Sequence, residues 1–368
     1  YAGLTDSLSE QEILAGNRFL RSMLEPEGYL MHSVHLSDSS KNNSPGSGID
    51  FSIHTKPAPV SAQFLYSLTL AKLSGIQGTG TSESKVYLTT AEKCFQWTCS
   101  GFSDFTPWEL GTAIGSACEL YKRTNKTYYK LAADNYLNIL LSQIKYKQDA
   151  SDEQTHFIFN PYTDPSKEIF PAVWTIAGLC FYINTFREDK LTEYCMDLLY
   201  KYSRNNILFP SYRNAFHLVP DNLHHEKAVG IRGTDDLYYS LFHQKPTGGF
   251  PGKGNNSHIA STAAVLIMID EILNMPELSE IAQMQLDWVL GCNPFRFSFI
   301  NGLGFSHPAS FHDPVLLNPE NSVSGRVMAG ISSDTNDSPA VFPGWKQTTG
   351  DCIESLANVL WLTVLLDK

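Results

Sequence analysis

The chain has 368 residues and a formal charge of −11, from 27 Lys and Arg residues against 38 Asp and Glu residues. Hydrophobic residues make up 42% of it and charged residues 18%, which supplies a large core and excludes a wholly disordered chain. The acidic balance argues against nucleic acids and anionic membranes as partners, because their phosphates would repel this chain. Apolar runs end well before membrane-spanning length, so we expect no membrane-spanning segment.

Helical spacing of apolar residues dominates the chain. The first predicted helix follows Asp6 and Ser7, which can cap it, and ends before Pro26. The same periodicity predicts further helices over residues 59–75, 84–99, 106–121, 128–144, 168–186, 191–202, 221–242, 258–273, 276–290 and 350–366.

Strand signals are few and short. Residues 28–35 alternate between apolar and polar side chains, which predicts one small hairpin arm. No strand–helix–strand series of the kind that builds a parallel sheet is visible. Short turns between the helices favour antiparallel helix pairs that stack side by side in an all-α chain.

Three stretches interrupt the helical pattern, at residues 37–48, 148–166 and 291–349. The third is the longest and is rich in Gly, Pro, Asn, Ser and aromatic residues. A compact domain rarely keeps so long an irregular segment unless it carries a binding or active site. We therefore look for function there first.

The seven cysteines follow no metal-binding or disulfide-framework spacing. Most of them lie inside apolar helical patterns, so we interpret them as small buried hydrophobic residues. No acidic loop clearly encodes a calcium site, and we expect neither a metal nor another cofactor.

The longest irregular stretch opens with LGCNPFRFSFINGLG (residues 290–304), which we call the signature turn. A helix ends at Gly291, Asn293 and Pro294 enforce a turn, and Gly302 and Gly304 allow close backbone approach. The residues alone leave two interpretations open. One is an ordered helix C-cap followed by surface histidines, and the other is a site that gathers polar groups.

The signature turn resembles a motif of glycoside hydrolase family 9, an inverting family that includes many endoglucanases. In that family a helix ends in Leu-Gly-x-Asn-Pro, and a Ser-aromatic-x-x-Gly-x-Gly segment follows it. Residues 17–34, 62–73 and 108–124 are similar to the family's early helix and hairpin, its next helix, and its Trp-x-x-x-Ala-x-Glu-Leu-Tyr helix. The resemblance therefore runs almost from end to end of the chain.

The resemblance implies an all-α (α/α)6 toroid of the six-hairpin glycosidase type, with long irregular loops and little β structure. In such a toroid, six helical hairpins form an inner and an outer ring. The chain shows no linker or shift in composition, so we expect a single domain over residues 1–368.

The resemblance also implies a general acid, because the family places a Glu at the start of its last helix and Glu354 holds a similar place. Burial at the start of this apolar helix would raise the pKa of Glu354 and make it a useful acid. The positive end of the helix dipole would act in the opposite direction and lower that pKa.

The second carboxylate is harder to assign. An inverting glycosidase needs a base roughly 6.5–9.5 Å from the acid, with a water between them. The family takes it from an Asp-Ala-Gly-Asp motif upstream of the helix that residues 17–24 resemble, and this chain has no such motif. Either the motif lies on a segment before Tyr1, so that the domain is short at its N-terminus, or this relative lacks it. Asp313 is the candidate for a base at a new position.

The cluster after the signature turn also departs from the family. The family has His-His-Arg where this chain has Phe311-His312-Asp313. A cation that holds sugar hydroxyls has become a carboxylate, so we expect a substrate that differs from cellulose. The predicted substrate-binding residues are those that could stack on or hydrogen-bond a sugar: His312, His307, Trp108, Tyr212, Trp345 and Asn301. For each aromatic residue the competing interpretation is a place in the core.

Three functions stay open at this stage, all with a carbohydrate partner. The first, which we favour, is inverting hydrolysis of a β-linked glycan or oligosaccharide, and the second is a catalytically inactive toroid that binds glycan. The third is a polysaccharide lyase on a related helical toroid, which the charge of −11 disfavours because lyase substrates are polyanions. The resemblance further implies a secreted or periplasmic protein.

Overall fold

The computed structural model describes residues 7–37, 50–76, 81–148, 155–158, 173–224, 231–232, 238–242, 254–304, 306, 325–333, 338–340 and 352–367. The chain forms two compact units, Tyr1–Leu137 and Asn138–Lys368. The single domain expected from the sequence stays a prediction.

The first unit is built from helices and one hairpin. Its helices are α1 (Ser7–Ser22), α2 (Val60–Ile76), α3 (Ser82–Gly101), α4 (Pro107–Thr124) and α5 (Thr127–Gln143), of which α5 continues into the second unit. Strands β1 (Met31–Ser37) and β2 (Asp50–Pro57) form an antiparallel hairpin. The predicted hairpin arm at residues 28–35 is thus confirmed, although the pairing starts three residues later.

The second unit is also mainly helical. Its helices are α6 (Val173–Thr185), α7 (Lys190–Tyr202), a π-helical turn (Ser203–Leu208), α8 (Phe209–Ser211), α9 (Asn256–Leu273), α10 (Pro276–Leu290) and α11 (Ile353–Leu366). Its short antiparallel strands are β3 (Lys145–Gln148), β4 (Thr155–Ile158), β5 (Asn222–His224), β6 (Ile231–Arg232), β7 (Tyr238–Ser240), β8 (Ser332–Ser333) and β9 (Pro339–Ala340).

Every predicted helix except one has its counterpart in the structure. The exception is residues 221–242, where a three-stranded sheet with the order β5-β7-β6 replaces the predicted helix. Gly230 and Gly233 weaken a helix in this stretch. The buried Tyr239 instead donates a 2.8 Å hydrogen bond from its hydroxyl to the carbonyl of Asn205. Tertiary contact has therefore overridden local helical periodicity.

In the first unit, α2 is the central helix because it carries both the aromatic core and the polar links to its neighbours. The ring of Phe64 lies 5.5 Å from that of Phe95 in a tilted geometry and 6.1 Å from that of Tyr136 in an edge-on geometry. Buried Gln63 exchanges two 2.8 Å hydrogen bonds with the backbone of Leu30, which fixes the entry to the hairpin. The Ser67 hydroxyl donates to the carbonyl of Ala91 and so links α2 to α3.

Helix α4 shows why these elements start and stop where they do. Thr106 and Glu109 form a capping box at its first turn, with Pro107 at the first helical position. Asn125 ends it in the left-handed conformation, with its N–H bonded to the carbonyl of Tyr121.

In the second unit, α9 is a largely buried helix that contacts α6, α7, α10 and α11. It is apolar around most of its circumference, which is typical of a helix covered on all sides. The indole rings of Trp174 on α6 and Trp361 on α11 stack with centroids 5.8 Å apart. None of the helices in the described part of the chain combines the length and apolar character that crossing a bilayer requires.

The cysteines behave as the sequence predicts. None of the seven, all of which lie within the described residues, forms a disulfide, and Cys94, Cys118, Cys180 and Cys195 are buried. Burial raises the pKa of Cys94 and of Cys195 to about 12. These thiols therefore act as small apolar side chains, whereas Cys292 in the signature turn is exposed.

The start of α9 meets residues 325–331 at van der Waals distance, and two glycines permit this. A Cβ added to Gly254 would lie 2.3 Å from the carbonyl carbon of Ala329. Gly330 has a φ of +112°, and a Cβ there would lie 2.5 Å from the side-chain amide of Asn256. Neither position can hold a side chain without moving the backbone of its neighbour.

We expect Gly330→Ala to lower the free energy of unfolding by roughly 2–4 kcal/mol, because it adds a steric clash to an unfavourable left-handed backbone. Urea unfolding followed by circular dichroism measures this. Gly325 is a matched control, since it lies in the same segment at φ +90° with open space around it. Gly325→Ala should cost only about 1 kcal/mol, and equal losses in the two variants would contradict the close approach.

Candidate functional site

The signature turn begins where α10 ends. Gly291 has a φ of +129° and donates its N–H to the carbonyl of Asp287 at 3.0 Å, which closes the helix. Buried Asn293 then organises the turn, because its side-chain amide donates to the carbonyls of Trp288 (2.9 Å) and Phe297 (2.8 Å). Its side-chain oxygen accepts from the N–H of Phe295 at 3.1 Å. The Asn293 side chain thus makes three hydrogen bonds with backbone groups that an irregular turn would otherwise leave unpaired.

The far arm of the signature turn pairs with residues 325–331. The N–H of Met328 donates to the carbonyl of Phe299 at 3.0 Å, and Phe299 donates in turn to Val289 at 2.8 Å. Asn301 exchanges two 2.8 Å backbone hydrogen bonds, donating to Arg326 and accepting from Gly325. The signature turn is therefore anchored on one side to α10 and on the other to a segment from later in the chain.

The same segment holds the N-terminus of α9. The N–H groups of Asn255 and Asn256 donate to the carbonyls of Ile331 and Ala329, both at 3.0 Å. The side-chain amide of Asn256 adds a 3.1 Å hydrogen bond to the carbonyl of Met328. Asn256 is completely buried, so these contacts act without competition from water.

Helix α11, which carries Glu354, starts from this segment as well. The N–H of Cys352 donates to the carbonyl of Val327 at 3.1 Å, immediately before the first turn of α11. One turn further, the Asn358 amide donates to the Ser257 hydroxyl at 2.9 Å and ties α11 to α9. Glu354 and Asn358 are four residues apart and lie on the same face of the helix.

The structure places two of the predicted site residues and corrects one expectation about them. Glu354 is exposed, so the expected burial of this side chain is wrong, although its place in the first turn of α11 is as predicted. Asn301 is only 5% exposed, and its backbone joins the signature turn to residues 325–326. Its backbone therefore supports the turn, and its predicted contact with a sugar stays a prediction.

The two remaining described candidates lie in different units. Trp108 is half-buried in the first turn of α4, and Tyr212 is 52% exposed just after α8. His307, His312, Asp313 and Trp345 lie outside the described residues. Trp288, by contrast, is fully buried against Phe216 and Phe242, which places it in the core.

Sequence reasoning did not identify Asn256, Ser257 and Asn358, which hold the elements of the site together. The stretch Gly254-Asn255-Asn256-Ser257 at the start of an apolar helix was the available signal. Consecutive Asn and Ser residues favour helix caps, but their partners lie far along the chain. Among the described residues, no group of three or more His, Cys, Asp or Glu side chains could hold a metal ion.

The electrostatics of Tyr212 bear on the lyase alternative, because a lyase would use Tyr and His residues in place of two carboxylates. Partial burial, Glu280 and Glu277 raise the pKa of the Tyr212 phenol, the carboxylates because they repel the phenolate. A tyrosine base must lose its proton readily, and this environment has the opposite effect.

Asn293 gives a test of the signature turn. We expect Asn293→Ala to lower the free energy of unfolding by about 2–3 kcal/mol, because it leaves buried backbone groups without partners. Asn293→Asp should be worse than Ala at pH 7, because a carboxylate would face the carbonyls of Trp288 and Phe297.

Those carbonyls raise the folded-state pKa of the introduced Asp above its unfolded value, so protonation favours the folded form. The extra loss in Asn293→Asp should therefore shrink as the pH falls towards 4. Urea unfolding of both variants from pH 7 to pH 4 measures this. A constant difference between Asp and Ala over that range would contradict the assigned hydrogen bonds.

Comparisons with solved structures identify the fold. A metagenome-derived glycoside hydrolase family 9 endoglucanase has a TM-score of 0.68 and 14% identity, over 99% of this chain and 62% of that chain. A GH9 protein of Bacteroides ovatus has a TM-score of 0.65 and 15% identity, over 98% of this chain and 63% of its own. The family 9 endoglucanase J30 has a TM-score of 0.61 and 14% identity, over 98% and 63%.

These relatives are (α/α)6 toroids, which confirms the predicted fold class of a mainly helical chain with little sheet. The chain spans less than two thirds of the length of each of them. A comparison with curated protein sequences gives no match.

A sequence profile of glycosyl hydrolase family 9 matches residues 62–345, which include the signature turn. Because that match covers most of the sequence, this chain belongs to glycosyl hydrolase family 9.

Proposed function

We propose that the chain is a glycoside hydrolase that cleaves a β-linked glycan or oligosaccharide with inversion, with Glu354 as the general acid. One observation carries this proposal. Backbone hydrogen bonds run from Val289 through Phe299, Met328 and Val327 to Cys352, so the signature turn and the first turn of α11 form one connected unit. The signature turn, which marks the family, and the proposed acid Glu354 are thus held by the same segment, residues 325–331.

The chemical environment of Glu354 fits a group that meets substrate. It is the only ionisable side chain between Ile353 and Leu366, and it is exposed. A general acid donates its proton to the glycosidic oxygen as the bond to the leaving sugar breaks. An exposed carboxyl in the first turn of a helix is accessible to that oxygen.

The reaction also needs a base that removes a proton from the attacking water. We propose Asp313 for this role on the basis of its sequence position, where a carboxylate replaces the cation expected in the cluster after the signature turn. His307, His312, Trp108, Tyr212 and Trp345 are the proposed sugar contacts. Imidazole groups hydrogen-bond hydroxyls, and aromatic faces stack on sugar rings.

The net charge of −11 favours a neutral glycan over a uronate polymer. Two of the structural relatives are named endoglucanases, so a soluble β-glucan is the first substrate to test. Because such polymers lie outside cells, we also propose a secreted or periplasmic location.

A second candidate function is glycan binding without turnover. It is favoured by the exposure of Tyr212, which is 52% accessible and offers a ring face to a sugar without any need for a catalytic carboxylate. Without a base 6.5–9.5 Å or so from the acid, water attack is not assisted, but binding through aromatic faces is unaffected.

Glu354→Gln separates the two functions. Under the hydrolase proposal, the amide cannot donate an acidic proton, and kcat on soluble β-glucan should fall by about 10²–10⁴-fold with little change in KM. Reducing-sugar release measures the rate. Proton NMR of the first product should show the α-anomer, as inversion at a β-linkage requires.

Glu193→Gln is the matched control, since Glu193 is an exposed glutamate in the first turn of α7. It should leave the rate unchanged. Turnover that survives in Glu354→Gln would remove Glu354 from the mechanism. Wild-type protein that binds β-glucan without releasing sugar would establish the binding function instead.

A further inference from the structure

The turn that follows α8 is held by a single asparagine. The side-chain amide of Asn214 donates to the carbonyls of Pro210 (3.1 Å), Ser211 (3.2 Å) and Leu218 (3.0 Å). Its oxygen accepts from the N–H groups of Phe216 (3.3 Å) and Leu218 (2.8 Å). Five hydrogen bonds to one side chain fix the path of residues 210–218, which we call the aromatic turn.

The aromatic turn is also fastened to α10. Buried Gln285 donates to the carbonyl of His217 at 2.8 Å and accepts from the N–H of Val219 at 3.0 Å. The Phe216 ring packs edge-on against the buried Trp288, with centroids 5.1 Å apart. The turn is therefore anchored to the helix whose end begins the signature turn.

This rigid support presents large aromatic side chains to solvent. Tyr212 is 52% exposed and Phe216 is 38% exposed. The Tyr212 ring is steadied by an edge-on contact with His217 at 5.7 Å, and His217 has a left-handed backbone with φ +51°. Exposed aromatic residues on an ordered turn lose little conformational freedom when they bind a ligand.

The polar groups beside the rings define the chemistry of a ligand. Partial burial, Glu280 and Glu277 raise the pKa of Tyr212, so its hydroxyl stays a hydrogen-bond donor at neutral pH. The two carboxylates can accept hydrogen bonds from hydroxyl groups, and the exposed Arg213 of the same turn, whose guanidinium carbon lies 3.6 Å from the centroid of the Phe209 ring, can donate them. Exposed aromatic rings with acceptors and a donor beside them suit a neutral, hydroxyl-rich ring.

We propose that the aromatic turn is a glycan-binding surface that takes neutral sugar units through stacking on Tyr212 and Phe216. Hydroxyl groups of the sugar donate to Glu277 and Glu280. The choice of a neutral β-glucan as ligand rests on the proposed function. The surface itself rests on the geometry of residues 210–218 and α10.

Affinity electrophoresis in soluble mixed-linkage β-glucan tests this surface directly, and it is done in the Glu354→Gln background so that the polymer is not cleaved. Tyr212→Ala should raise Kd about tenfold, the loss expected when one aromatic stacking contact is removed. Tyr212→Phe should retain most of the binding, because it keeps the ring. Polygalacturonate should bind none of the variants, since it is a polyanion.

Tyr194→Ala is the matched control. Tyr194 is 56% exposed on α7, a regular helix outside the aromatic turn. Its replacement should leave Kd unchanged. Thermal unfolding of each variant shows whether a loss of binding reflects a loss of folding. Equal Kd values for Tyr212→Ala and Tyr194→Ala would overturn the proposal.

The two proposals fail separately. If wild-type protein releases no sugar but Tyr212→Ala still weakens β-glucan binding, the binding surface stands and hydrolysis is wrong. If wild-type protein releases sugar and Tyr212→Ala changes neither Kd nor KM, hydrolysis stands and the surface is wrong.

Discussion

Backbone hydrogen bonds made by residues 325–331 are the constraint on which the candidate site depends. Helices α9 and α11 each begin without a side-chain cap, and the first N–H groups of a helix need partners outside it. The carbonyls of Val327, Ala329 and Ile331 supply them, the first to α11 and the other two to α9. One extended segment therefore caps two helices at once.

This arrangement explains how the signature turn and residues 325–331 are held in place without forming a helix. Buried backbone groups must be paired. The hydrogen bonds within the signature turn, such as that from the N–H of Arg296 to the carbonyl of Asn293, leave other backbone groups that pair with residues 325–331. Each satisfies the other, while Asn293 and Asn256 fill the remaining positions with side-chain amides. Gly254 and Gly330 are required because the start of α9 and residues 325–331 approach too closely for a Cβ at either position. The fold thus fixes the position of Glu354 without burying its side chain.

The sequence predicts most of the helices of this fold, because their stability comes from a local pattern of apolar residues that can be read within one segment. It also predicts the place of the signature turn, since Gly291, Asn293 and Pro294 act on their own neighbourhood. It mispredicts residues 221–242, where Tyr239 gains more from a buried contact with Asn205 than from a helix. Local periodicity carries no information about such a partner.

The candidate site is less predictable than the fold for the same reason. The contact between Asn256 and Met328 joins residues 72 positions apart, and that between Asn358 and Ser257 joins residues 101 apart. Nothing in the sequence around either residue of such a pair identifies the residue that it contacts. The exposure of Glu354 likewise depends on how α11 is placed by Cys352, and not on the apolar character of the helix that follows it.

Charge provides the last link between structure and substrate. The chain carries a net charge of −11, and carboxylates lie at both described candidate surfaces of the second unit. Glu354 is the only ionisable group of its helix, and Glu277 and Glu280 lie near enough to Tyr212 to raise the pKa of its phenol. These carboxylates would repel a polyanionic glycan, whereas a neutral glycan would meet hydrogen-bond acceptors. The described carboxylates therefore support the proposal of a neutral glycan, both for the proposed acid Glu354 and for the proposed binding surface at the aromatic turn.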